Sequence, residues 1–109
     1  MKYTNLLVRK NGDEFELDIV ASLMKEEKLF VVEVKANSDK EEYVEKFQKK
    51  LSMVFECLSE YPGFELISIY AGFSMKESAV KKLSWLGIYA MVVQGDILKI
   101  VNFDDVRKS

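Results

Sequence analysis

The stretch FVVEVKAN, Phe30–Asn37, decides the fold. Its run of apolar β-branched residues is typical of a strand in the core of a sheet. Glu33 and Lys35 interrupt that run two residues apart, so both lie on the same face of the strand. Charged side chains are almost never fully buried unless they are paired or bind something. The stretch therefore predicts a central strand with a paired or ligand-binding charge cluster.

Composition limits the class of protein. The chain has 109 residues, of which 49% are apolar and 31% charged, which indicates one globular domain, residues 1–109. The net charge of -2 offers no general attraction for nucleic acid. Its apolar runs fall short of the ~20 residues of a membrane span, so we expect no membrane partner. A single cysteine, Cys57, cannot form an internal disulfide, which favours an intracellular, cytoplasmic protein.

The absence of histidine limits the chemistry. Histidine-based triads are excluded, and so are most zinc and haem sites. Any catalysis must therefore use carboxylates, lysine, serine, tyrosine or a metal that prefers oxygen ligands.

Hydrophobic periodicity predicts an α/β fold with a central mixed sheet flanked by helices, in the order βββ-α-β-α-ββ. Asn11-Gly12 predicts a tight hairpin between the first two strands. The predicted strands are residues 3–8, 14–23, 29–36, 64–71, 88–93 and 97–103.

Two amphipathic helices are predicted between these strands. The first begins at Ser38, which with Glu41 fits a capping box, and ends before Pro62. Its expected buried positions are Val44, Phe47, Leu51, Val54, Phe55 and Leu58. The second helix begins at Ser74, again with a glutamate three residues later, and ends at Gly87. We expect five lysines of these helices to lie in solvent: Lys46, Lys49, Lys50, Lys81 and Lys82.

The hairpin of the second and third strands has two compatible registers. A loop at Glu26-Glu27 places Asp18 opposite Lys35, whereas a loop at Lys25-Glu26 places Asp18 opposite Glu33. Both registers gather the same polar residues on one face: Glu16, Asp18, Glu33 and Lys35. We expect a helix on the other face, which carries Phe15, Leu17, Ile19, Phe30, Val32 and Val34.

Convergent carboxylates repel one another unless a cation lies between them, and Lys35, a divalent metal or both could supply it. Mg²⁺ binds one or two carboxylates, and the backbone carbonyl of Val34 could add a further oxygen. Such a metal can activate water and neutralise a leaving group, while Lys35 stabilises developing negative charge. These groups suffice for phosphodiester hydrolysis without histidine.

The sequence ELD (Glu16–Asp18) in one strand, followed by EVK (Glu33–Lys35) in the next and then an amphipathic helix, resembles the PD-(D/E)XK nuclease superfamily. This superfamily includes archaeal Holliday-junction resolvases and Mrr-like restriction nucleases. The resemblance spans residues 3–101 and implies a restriction-endonuclease-like fold that hydrolyses DNA with Mg²⁺, for which Mn²⁺ can substitute. It implies Asp18 and Glu33 as metal ligands, Lys35 as the catalytic lysine, Glu16 as an auxiliary acid and Gln48 as an auxiliary helix residue.

Two features depart from the family pattern. Leu17 stands where the name-giving proline would be. The usual N-terminal helix with an acidic residue is missing, so either the chain is a fragment of a longer protein or that helix has been lost. The alternative function is a non-catalytic nucleic-acid-binding or assembly module that keeps the nuclease fold. A homodimer is compatible with either function.

Overall fold

The structure is a computed structural model that describes residues 2–10, 13–23, 25–58 and 63–106. Side chains are described for residues 20, 22, 25–56 and 63–106. The predicted turn residues Asn11 and Gly12 lie outside the described residues.

The described residues form one six-stranded sheet in which the strands lie side by side in chain order. The strands are β1 (Lys2–Lys10), β2 (Asp13–Leu23), β3 (Lys28–Val34), β4 (Glu65–Gly72), β5 (Tyr89–Gln94) and β6 (Ile97–Ile100). Helix α1 (Glu41–Leu58) connects β3 to β4, and helix α2 (Glu77–Trp85) connects β4 to β5. The pairs β3–β4 and β4–β5 are parallel and the other three are antiparallel. The predicted α/β class with a mixed sheet is confirmed.

Both helices pack on the same face of the sheet. Parallel strands connected through a helix almost always cross over with a right hand, and two such crossovers that advance in one direction place both helices on one side. The strand residues beneath the helices define the helix-covered face: Val20, Val31, Glu33, Ser68, Tyr70 and Ala90. The opposite face, with Phe30, Val32 and Val34, was expected to receive the helix, and that prediction is wrong.

The reason for this error is that both faces of β3 are apolar. Val31 on the helix-covered face is fully buried and packs in the core with Val20. One glutamate on that face is therefore not enough to turn it towards solvent, because apolar neighbours and a charge partner compensate for its burial.

Helix α1 buries four of its predicted core positions: Val44, Phe47, Leu51 and Val54. Phe55, expected in the same stripe, is instead 68% exposed. The capping-box prediction at Ser38 is also wrong, because α1 begins at Glu41 and the Ser38 hydroxyl donates a hydrogen bond to the Ser74 carbonyl.

At the ends of α2 and β6, one predicted boundary is confirmed and two are wrong. Gly87 follows α2 with a φ of 79°, as expected of a residue that ends a helix. Helix α2 begins at Glu77 with Lys76 as N-cap and no side-chain cap, so the capping box at Ser74 is wrong. Strand β6 ends at Ile100 rather than Phe103, because Asn102 turns into the core.

Candidate functional site

The candidate site lies at the carboxyl ends of the parallel strands β3 and β4, where ligands commonly bind in open α/β sheets. Two loops meet there, residues 36–40 after β3 and residues 73–76 after β4. The Ser38 hydroxyl donates to the Ser74 carbonyl, and the Lys76 backbone N–H donates to Asp39 Oδ1 at 2.7 Å. At Gly72 an added Cβ would collide with Ser38, so the glycine lets the two loops close together.

Glu33 is the buried charge of the site. It is 2% exposed, and its Oε2 atom lies 2.9 Å from Nζ of Lys50 in helix α1. The Lys50 side chain keeps 23% of its surface exposed, so the pair reaches solvent through the lysine. A buried carboxylate needs a cation or hydrogen bonds in order to stay ionised, and Lys50 supplies the cation.

Lys50 was expected in solvent, and that prediction is wrong. At ~100° per residue, Lys50 lies only about 40° from the buried Val54 on the helical wheel. It also shares that flank of the helix with Tyr43, which packs against the core. A lysine at the border of a buried stripe was the signal in the sequence, because a long side chain there can reach under the helix.

Lys35 lies on the same face as Glu33 but takes another partner. Its backbone N–H donates to the carbonyl of Ala71 at 2.9 Å, which extends the β3–β4 ladder by one residue. Its Nζ lies 5.0 Å from the centre of the Tyr43 ring, within the range of a cation–π contact. The structure therefore brings Glu33 and Lys35 to one end of the sheet, and the described ion pair of Glu33 is with Lys50.

Tyr70 stands beside Glu33 on strand β4, opposite it in the parallel register. Its side chain is 0% exposed, and its hydroxyl has no hydrogen-bond partner among the described residues. Burial raises the pKa of Tyr70 to about 12, and the negative charge of Glu33 adds to the increase. The phenol therefore stays protonated well above neutral pH, and its residue neighbours Glu33 across the β3–β4 pair.

The other predicted acids lie on β2, where side chains of residues 13–19 are outside the described residues. The backbone pairing Ile19 with Val32 corresponds to the loop at Lys25-Glu26. Continued by one residue, this register puts Asp18 opposite Glu33. Glu16 pairs with Leu7 of β1 and is two positions further along the strand.

The two remaining predicted residues, Val34 and Gln48, lie at the margin of the candidate site or outside it. Val34 ends β3 next to Glu33, and its side chain points to the opposite face with 44% exposure. Gln48 is exposed on α1, about 160° from Lys50 on the wheel. The described contacts do not bring Gln48 to Glu33.

The donors present fit an oxygen-preferring metal only in part. Within residues 25–56 and 63–106, no three acidic or cysteine side chains cluster closely enough to hold a metal ion together. Glu33 supplies one carboxylate, whereas only the backbone of Asp18 is described, so its carboxylate lies outside the described side chains. The Oε2 atom of Glu33 already contacts Lys50. A metal bound to that oxygen would require the lysine to move aside.

No protein-family model matches the chain, and no curated protein matches it significantly. Neither of the described helices is long and apolar enough to cross a membrane.

Proposed function

We propose that this protein is a metal-dependent nuclease-like domain that hydrolyses phosphodiester bonds of DNA, with a restriction-endonuclease-like fold. The observation that carries the proposal is the burial of Glu33, 2% exposed, at the carboxyl end of a central strand, with Lys35 two residues further on. The sequence resemblance rests on the same two residues and on Asp18.

In this proposal each residue has a role that its position supports. Glu33 and Asp18, on neighbouring strands, would hold a Mg²⁺ or Mn²⁺ ion, and the carbonyl of Val34 would add a further oxygen. When bound, such an ion would supply an activated water and neutralise charge on the phosphate. Lys35, held near the Tyr43 ring, orients the water or stabilises the negative charge that develops on phosphorus oxygens.

Two further residues extend the proposed site beyond the sequence motif. The Tyr70 phenol, buried beside Glu33 and with its pKa raised to about 12, offers a protonated hydrogen-bond donor to a water within the site. Lys50 neutralises Glu33 when metal is not bound. Glu16 remains the auxiliary acid, whereas the exposure of Gln48 gives no support to its auxiliary role.

The second candidate is a non-catalytic nucleic-acid-binding or assembly module with the same fold. The 2.9 Å contact between Lys50 and Glu33 favours it, because a protein cation there makes a metal unnecessary for charge balance. The two candidates differ in one property, which is metal-dependent cleavage.

The test is nicking of supercoiled plasmid with Mn²⁺, with Mg²⁺ and with chelator. We expect slow nicking that Mn²⁺ favours and chelator abolishes. Lys35→Ala and Glu33→Gln should each lower the rate at least about 100-fold, since both remove groups that act on the transition state. Lys46→Ala, which removes an exposed lysine from α1, is the matched control and should keep the wild-type rate.

Two outcomes would contradict the proposal. Nicking that persists in Lys35→Ala would assign the cleavage to a contaminant. Absence of cleavage by the folded wild type, on plasmid, single-stranded and branched DNA, would favour the second candidate. Calorimetry separates metal binding from catalysis: we expect Mn²⁺ to bind with a Kd of roughly 1 mM and Asp18→Asn to weaken it.

A further inference from the structure

Two lysine ammonium groups lie against one tyrosine ring beside the candidate site. Nζ of Lys35, just after β3, is 5.0 Å from the centre of the Tyr43 ring, and Nζ of Lys40, just ahead of α1, is 5.5 Å from it. Because both distances end at the same ring centre, the two ammonium groups are no further apart than the two distances together. We call these three residues the lysine–tyrosine cluster.

Neither lysine of the cluster forms an ion pair with a carboxylate among the described side chains. The ion pairs described between lysines and glutamates belong instead to Lys50, Lys81 and Lys82. Asp39, the sequence neighbour of Lys40, accepts a hydrogen bond from a backbone N–H at 2.7 Å. Two positive charges held at one ring repel each other, so an anion bound between them is favoured.

Two acidic residues follow the cluster in the chain. Glu41 and Glu42 form the first turn of α1, and both side chains are exposed. Neither makes a described ion pair with Lys35 or Lys40. Acidic side chains in the first turn stabilise a helix through its dipole, which gives the two glutamates a role that does not involve these lysines.

The cluster is accessible and is supported from below. Lys40 is exposed, whereas Lys35 and Tyr43 are partly exposed, so a ligand can reach all three residues. The Tyr43 side chain packs against the core, and its backbone N–H donates to the Lys40 carbonyl at 3.1 Å. A ring fixed in this way restrains two flexible lysine side chains, which lowers the entropy that they lose when they bind a ligand.

We propose that the lysine–tyrosine cluster binds the phosphate backbone of a nucleic-acid strand beside the Glu33 site. Lys40 is a phosphate contact in this proposal, and Tyr43 is the residue that positions Lys35 and Lys40. The net charge of -2 gives the chain no general attraction for nucleic acid, so the attraction must be local, and two lysines without carboxylate partners supply it. Phosphate contacts carry no sequence information, so the cluster contributes affinity rather than base preference.

This inference rests on the proposed function and names residues that hold its substrate. Lys35 lies two residues beyond Glu33 on the same face of the sheet. A strand bound at Lys40 therefore passes Lys35 on its way to Glu33. Lys40 has no part in the proposed chemistry, so its substitution tests substrate binding apart from cleavage.

The experiment measures binding of a fluorescently labelled DNA duplex by anisotropy, in chelator, at salt concentrations from about 50 to 200 mM. Chelator prevents metal-dependent cleavage, so the signal reports binding alone. Each phosphate contact contributes about 0.9 to the slope of log K against log salt concentration on duplex DNA. Lys40→Ala should therefore lower this slope by about 0.9 and weaken binding about three- to tenfold at about 0.1 M salt.

The matched control is Lys81→Ala, which removes the same charge from an exposed lysine whose Nζ lies 3.6 Å from Glu77. It should leave the slope unchanged and the affinity within about twofold of wild type. Tyr43→Phe keeps the ring and should also bind within about twofold of wild type. Tyr43→Leu keeps an apolar side chain without a ring and should weaken binding at least about threefold. Circular dichroism checks the fold of each variant.

Three results would overturn the inference. Equal losses of slope in Lys40→Ala and Lys81→Ala would assign binding to overall charge rather than to the cluster. Wild type that binds neither duplex nor single-stranded DNA at about 100 μM protein and about 50 mM salt would leave the cluster without its ligand. Equal weakening by Tyr43→Phe and Tyr43→Leu would show that the ring does not position the lysines.

Plasmid nicking separates the failure of this inference from the failure of the proposed function. If wild type nicks plasmid and Lys40→Ala binds and nicks DNA as wild type does, the inference alone is wrong. If Lys40→Ala lowers the salt slope while wild type cleaves no DNA, the phosphate contact stands and the proposed cleavage is wrong.

Discussion

Two buried polar clusters, one on each side of the core, differ in how completely their hydrogen bonds are satisfied. In the Asn102 cluster, Asn102 Oδ1 accepts from the Ala90 N–H at 2.8 Å, and its Nδ2 donates to Ser84 Oγ at 2.9 Å and to the Ile88 carbonyl at 3.1 Å. The Ser84 hydroxyl in turn donates to the Val80 carbonyl at 2.8 Å. This cluster is neutral and closed, and it ties the segment after β6 to α2 and β5.

The Glu33 cluster is charged and open by contrast. Glu33 has one described ion pair, with Lys50, and the neighbouring Tyr70 hydroxyl has no described hydrogen-bond partner. Buried polar groups in folded proteins are normally satisfied, so an orphaned hydroxyl beside a buried charge needs an explanation. The difference is that the members of the Asn102 cluster satisfy one another, while the cluster around Glu33 leaves the Tyr70 hydroxyl without a described partner.

The largest stability effect is expected from the closed cluster. Asn102→Ala removes three hydrogen bonds and leaves the buried N–H of Ala90 unpaired, which should cost about 3–4 kcal/mol. Chemical denaturation measures it, with Asn37→Ala at an exposed loop position as the control expected within about 0.5 kcal/mol. A loss below about 1 kcal/mol would mean that the closed network is not what stabilises this end of the sheet.

The next largest effect on stability is expected from the ion pair between Glu33 and Lys50. Lys50→Met leaves Glu33 buried without its described cation, which should cost about 3 kcal/mol in metal-free buffer. If Glu33 is a metal ligand, millimolar Mn²⁺ should restore part of this loss, because the ion takes the place of the ammonium. Thermal unfolding with and without Mn²⁺ measures both quantities.

The matched control for this prediction is Lys49→Met at an exposed position of the same helix. It should leave stability and its Mn²⁺ response unchanged. If Lys50→Met is destabilised and Mn²⁺ does not restore its stability, the Glu33–Lys50 pair has only a structural role.

A smaller effect on the free energy of unfolding is expected from Tyr70 at alkaline pH. Folded Tyr70 keeps its proton to about pH 12, whereas an ordinary tyrosine releases it near pH 10. The unfolded chain therefore loses this proton first, so the stabilising contribution is complete below pH 10 and is lost as pH rises through 12. The wild type should lose about 2 kcal/mol more than Tyr70→Phe between pH 9 and pH 11.5.

The comparison of Tyr70→Phe with wild type cancels the titration of the other tyrosines. Denaturation at pH 9 and pH 11.5 measures it. Parallel losses in the two proteins would show that the Tyr70 hydroxyl is not held protonated by burial.

The smallest effect is expected at Gln48. It is exposed and outside the described Glu33 contacts, so Gln48→Ala should change stability by less than about 0.5 kcal/mol and leave the nicking rate unchanged. A tenfold fall in nicking with unchanged stability would restore it as an auxiliary residue.

Much of the candidate site could be predicted because period-two alternation fixes which residues share a face. Glu33 and Lys35 lie on one face of β3, and the β2–β3 register is one of the two that the loop lengths allowed. The role of Lys50 could not be predicted from the EVK motif, because its position at the border of the buried stripe is compatible with either solvent or core. The lack of a partner for the Tyr70 hydroxyl depends on contacts between β4 and α1, which no local pattern encodes.

The sequence by itself determined the α/β class, the helical stripe of Val44, Phe47, Leu51 and Val54, and the termination of α2 ahead of Gly87, because each follows from residue spacing or local backbone preference. Tertiary structure alone decided which face of the sheet the helices cover. Val31 and Val32 are equally apolar on opposite faces of β3, so composition could not choose between them. The strand order and the common hand of the two crossovers made that choice, which buried Glu33 against Lys50 and left the opposite face open.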